Sequence, residues 1–157
     1  MDLVSYRGFL HLGQILGMAG AAFGLLVFLA WMAAPWLAGV SAGRQPRRPA
    51  LMLAFSGGSW LLLLLCATGF AISLAGMFLR FREVRHWPAQ TMYEVIPLGV
   101  TAGYLATLAL YFVLGLHRQR GLARAFGDLF VALILLGGGS TLRYVLEAAA
   151  QHGKAVW

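Results

Sequence analysis

Four long stretches without a formal charge limit what this chain can fold into. Residues 8–43, 49–79, 95–117 and 129–142 contain no Lys, Arg, Asp or Glu. In lipid every backbone polar group must be satisfied within its own segment, so a helix of about 20 apolar residues is the economical way across a ~30 Å hydrocarbon core. The first three stretches reach that length. The fourth must continue through Arg143 and Glu147 to do so. Charged residues make up 11% of the chain and hydrophobic ones 61%, against roughly a quarter charged in a soluble domain. The composition therefore fits lipid as solvent. The expected fold is an all-α integral membrane protein, a four-helix transmembrane bundle forming one domain over residues 1–157. Its spans are expected near 9–34, 51–79, 91–116 and 127–149.

An even number of crossings puts both termini on one side, together with the connection between the second and third spans. His11, His86 and His152 then share that side. The N-terminus lacks the short apolar core and small-residue cleavage site of a removable signal, so the first segment is expected to be retained. The net charge of +7 comes from Arg residues dispersed among the connections rather than gathered on one face, which argues against a nucleic-acid partner. Arg44, Arg47, Arg48, Arg118, Arg120 and Arg124 fall on one side, and Arg7, Arg80, Arg82, Arg85 and Lys154 on the other. The positive-inside tendency then sets both termini outside, in a bacterial inner membrane or its equivalent. Cys66 is the single cysteine, so neither an internal disulfide nor a CxxC site forms.

Gly13, Gly17, Gly20 and Gly24 form small-xxx-small pairs that let another helix approach closely in lipid. Pro35, together with Pro46 and Pro49, is expected to end the first helix. Gly137, Gly138 and Gly139 leave a section of the fourth span without side chains, suited to close contact with another backbone or with a flat ligand. Arg143 and Glu147 are one helical turn apart and can pair on one face. Either they neutralise each other near the membrane boundary, or Arg143 faces inward and meets an anion such as a haem propionate.

Residues 80–90, RFREVRHWPAQ, interleave charge, aromatics, His and Pro as no other stretch does. Trp87 and Tyr93 suit the membrane interface. Pro88 bends the chain and can open the third helix. Glu94 then lies in that helix's first turn, where a carboxylate is favoured by the helix dipole. Imidazole is a common iron ligand, so His86 with either His11 or His152 is a candidate pair of haem ligands. Arg80, Arg82 and Arg85, with Arg143 as a further candidate, are proposed propionate partners.

Residues 80–94, RFREVRHWPAQTMYE, resemble the R-W-x-x-x-G-H-F-P-L-S-N-L-Y-E segment of CcsA/ResC-type cytochrome c assembly membrane proteins. Arg80, His86, Pro88, Tyr93 and Glu94 coincide with that pattern without a gap, and Phe81 and Trp87 keep its aromatic character. Arg85 stands where the pattern has Gly. The flanking spans, and a first helix with His11 near its outer end, also follow the family. Its tryptophan-rich WGxxWxWD segment is absent, for the five Trp residues are scattered at 31, 36, 60, 87 and 157. The resemblance implies the helical scaffold and a haem site at the outer face, without a complete cytochrome c synthase.

Three functions are compatible with these residues. The first is a haem-related component of cytochrome c assembly, with other assembly proteins or c-type cytochromes as partners. The second is a membrane anchor subunit of an electron-transfer complex that binds haem or contacts quinone, since ligands on facing helices can hold a flat cofactor. The third is a structural membrane subunit without cofactor.

Overall fold

The computed structural model describes residues 6–40, 48–85, 91–119 and 121–151, with side chains for 6–33, 56–85, 91, 94–119 and 121–150. Four helices account for nearly all of it: α1 (Tyr6–Val40), α2 (Arg48–Val84), α3 (Met92–Val113) and α4 (Leu122–Gln151). A short 3-10 turn, Leu116–Arg118, follows α3. Each helix contains a segment long and apolar enough to cross a membrane, namely Tyr6–Ala33, Ser56–Val84, Glu94–Val113 and Leu122–Ala150.

Neighbouring helices run antiparallel. Phe9 packs at Gly76 and Val27 at Gly58, pairing the start of α1 with the end of α2. Thr101 meets Met77 across α2 and α3, and Leu142 of α4 packs at Gly13 of α1. The beginning of α1 and the end of α4 therefore lie at the same end of the bundle, as an even number of crossings requires.

The α1–α4 interface is the most extensive, and glycine makes it possible. A Cβ on Gly17 would stand 2.8 Å from the Leu135 carbonyl oxygen and 2.9 Å from the Gly139 Cα. The two backbones touch there, which gains dispersion contacts in lipid, where no hydrophobic force joins helices. Gly139 thus takes the backbone-packing role open to the glycine run, and Gly138 lies under the ring of Tyr104. The core between the four helices is built on Leu62, Cys66, Tyr104, Tyr111, Val131 and Leu135.

Several helix ends differ from expectation. Pro35 does not end α1, which continues to Val40; the proline forfeits one N–H bond, but its fixed φ is close to the helical value, so the chain can go on as helix. Helix α2 runs past Arg80 to Val84, because a helix need not stop where the hydrocarbon does and long Arg side chains reach the interface. Helix α4 starts at Leu122, since Arg124 and Asp128 compensate each other within its first turns.

Candidate functional site

Among the described residues, a charged polar group lies inside this apolar bundle at each end. The first belongs to the 80–94 segment. Arg80, near the end of α2, donates from Nε to Glu94 Oε1 at 3.0 Å, and the Glu94 side chain is 2% exposed. Its second oxygen accepts the backbone N–H of Thr91, the N-cap of α3, at 3.4 Å. One carboxylate therefore caps its own helix and clamps the preceding one. Arg80 also reaches Glu83 at 3.4 Å and stacks over the Tyr6 ring of α1 at 5.7 Å. Three helices are joined around a single guanidinium.

Between these anchors α2 ends at Val84 and is followed by Arg85, whose φ of 55° is left-handed. That conformation crowds the Cβ of any residue but glycine. It occurs at the position where the CcsA-type pattern has Gly. Arg82 and Arg85 are exposed at the end of α2, and His11 is half-buried in the second turn of α1, at the same end of the bundle. His86, Trp87, Pro88 and His152 lie outside the described residues, as does the side chain of Tyr93.

Arg143 does not join this group. It lies on the outward face of α4, paired with Glu147 at 2.7 Å, each side chain 57% exposed. The inward orientation considered for it is therefore replaced by mutual neutralisation, because each charge finds its partner one turn along the same helix.

The second polar group was not legible as a site. Asp128 of α4 is fully buried. Its carboxylate accepts from the Ser59 hydroxyl of α2 and, at 2.9 Å, from the Tyr111 hydroxyl of α3. The indole nitrogen of Trp31, on α1, is buried beside the same group. Arg124, 4% exposed, stands with Nε 3.8 Å from Asp128 and donates from Nη1 to the His117 carbonyl at 2.5 Å. Its guanidinium lies 6.0 Å from the Trp60 ring and 5.8 Å from that of Tyr111. The available signal was the i,i+4 spacing of Arg124 and Asp128 at the start of an apolar span, since intramembrane charges face protein or water. By sequence Arg124 groups instead with the basic connection that precedes the span.

Among the described residues no group of three or more His, Cys, Asp or Glu is placed to hold a metal ion. A lateral groove of about 420 Å³ runs between α3 and α4, lined by Ile96, Gly99, Val100, Gly103, Ile134 and Gly137 among others. Four apolar helices with their buried charges paired define a multi-pass membrane protein of the four-helix class. Comparison with known protein families, with curated proteins and with solved structures finds no match.

Proposed function

We propose that this chain is a haem-handling membrane component of the cytochrome c assembly kind, holding or passing haem at the membrane face that carries the 80–94 connection. The observation that carries the reading is the Arg80–Glu94 pair, which joins the first and last residues of the CcsA-like segment at 3.0 Å. A clamp of this kind draws Arg80 and Glu94, the two ends of the segment, together at one end of the bundle. The glycine-type conformation of Arg85 supports the same reading.

His11 stands at the same end as the connection, and exposed Arg82 and Arg85 are available for propionates. Haem would be held by His86 with His11 or His152 and would supply redox or transfer chemistry when bound. Arg80 is committed to Glu94 and serves to position the loop. Without the tryptophan-rich segment, presentation to an apocytochrome falls to a partner chain.

A second reading, a haem-bearing or quinone-contacting anchor subunit, is favoured by the groove between α3 and α4, which is apolar and of a size to take a quinone ring or part of an isoprenoid tail. Purification in mild detergent followed by absorption spectroscopy tests both haem readings. A Soret band that is lost or shifted in His86→Ala supports the site. No Soret band in the pure chain or its native complex would sink both. Co-purifying apocytochrome or a second assembly protein marks maturation, whereas multihaem or iron–sulfur partners mark electron transfer.

A further inference from the structure

The groove between α3 and α4 is kept open by glycine. Helix α3 turns Gly99, Gly103 and Tyr104 to it, and α4 turns Gly137, Gly138 and Thr141, each set at the spacing of one helix face. A Cβ at Gly99, Gly103 or Gly137 would meet nothing within 4 Å, so no neighbouring backbone accounts for these glycines as it does for Gly17 and Gly139. Each weakens its helix relative to alanine. A larger side chain at any of the three would narrow a cleft of about 420 Å³.

Two hydroxyls border this apolar groove without a partner. Tyr104 is 1% exposed and its hydroxyl makes no hydrogen bond; its ring lies on Gly138, where a Cβ would collide with it. Thr141 is half-buried. Thr68, Thr101 and Thr107 each donate to the carbonyl four residues back, but the corresponding carbonyl for Thr141, that of Gly137, accepts from Ser140. Among the described residues the Thr141 hydroxyl has no partner. Acyl chains offer no acceptor, and a hydroxyl left without one in hydrocarbon carries a desolvation cost. Depth narrows the choice of occupant. Tyr104 stands ten residues beyond Glu94 in the Glu94–Val113 span, about 15 Å along a helix and so near the middle of a ~30 Å core. The ester carbonyls and headgroups of phospholipids lie at the borders of that core. An acceptor at mid-depth belongs instead to a largely apolar molecule with a ring carbonyl.

We propose that this groove binds the ring of an isoprenoid quinone, with the half-buried Thr141 and the deeper Tyr104 donating their hydroxyl protons to ring carbonyl oxygens. An apolar pocket with a few polar groups that orient the ligand is the usual form of such a site. The three glycines let a flat ring approach the helix backbones, and the isoprenoid tail leaves through the open side into lipid. The proposal rests on the second functional reading and gives it a ligand site.

Decylubiquinone is titrated into the full chain in mild detergent, and bound quinone is counted by native mass spectrometry. Decylbenzene, which lacks the carbonyls, is titrated in a parallel arm. Gly137→Leu fills the groove from a position with open space around it, so the fold is kept, and circular dichroism checks this. Thr141→Val with Tyr104→Phe removes both hydroxyls and keeps the shape. Gly57→Leu on α2, where a Cβ also meets nothing within 4 Å, lies outside the groove and serves as control. The expected result is one quinone on the parent, lost in Gly137→Leu, weakened about tenfold in the double variant and unchanged in Gly57→Leu. No quinone on the parent, or undiminished binding in folded Gly137→Leu or in the folded double variant, overturns the proposal. Equal binding of decylbenzene marks an acyl-chain groove and overturns it too, as does a parent dimer that Gly137→Leu makes monomeric, which places a second copy there. Multihaem or iron–sulfur partners on a chain that takes no quinone keep the anchor reading and remove this site, so the two fail separately.

Discussion

Arg80 of α2 and Glu94 of α3 meet Nε to Oε1 at 3.0 Å across fourteen positions of sequence, with the Glu94 carboxylate almost fully enclosed. The two ends of the one chemically mixed stretch in an apolar chain are thereby locked together. Removing either partner has unequal consequences, because the Arg80 side chain is 13% exposed and has a second acceptor in Glu83, whereas the Glu94 side chain is 2% exposed.

Arg80→Met is therefore expected to destabilise the bundle by about 3 kcal/mol, the range for stranding a buried charge. Glu94→Gln should cost less, since it removes the charge and retains the capping geometry. Reversible unfolding in detergent micelles measures both. Equal effects would mean that Glu94 is not held by Arg80.

Arg85→Gly should stabilise the protein by about 1 kcal/mol, the cost of placing a side chain in left-handed backbone. The same unfolding assay reads it. A loss of stability would show that the Arg85 side chain does more at this turn than its backbone costs.

Gly17→Ala and Gly137→Ala provide a paired test of helix packing. A methyl at Gly17 enters the backbone of α4, whereas one at Gly137 meets nothing within 4 Å. The first is expected to cost about 2 kcal/mol through overpacking, and the second to be neutral or mildly stabilising through helix propensity.

The carboxylate of Asp128 joins α2 and α3 to α4 through Ser59 and Tyr111. Tyr111→Phe and Ser59→Ala should each cost about 1.5–3 kcal/mol, the range for a hydrogen bond to a charged group. Because both donors serve one carboxylate, the double variant should depart from additivity. Strict additivity in a double-mutant cycle would mean that the two contacts are independent.

Much of the architecture was readable along the chain. Four charge-free stretches required four spans, and the glycines of the first span announced a close helix contact, which α4 fills at Gly139. Glu94 as a cap on the third helix was also readable, from its place in a first turn. Helix ends were less so, because backbone capping and long Arg side chains extend helices past the hydrocarbon, as α2 shows between Arg80 and Val84. The Ser59–Tyr111–Asp128 group was invisible, since its members lie on three helices and are separated by up to 69 positions.

The sequence by itself determined how many times this chain crosses lipid and that its two ends face the same way, because both follow from length and apolar runs alone. Tertiary structure decided which charges turn inward. Arg124–Asp128 and Arg143–Glu147 have the same i,i+4 spacing on the same helix, yet their side chains are 5% and 0% exposed in the first pair and 57% and 57% in the second. Spacing fixes only that two residues share a helix face. Whether Ser59, Tyr111 and Trp60 stand opposite that face depends on how the other helices pack, and that gives one pair a polar cluster and leaves the other to its own neutralisation.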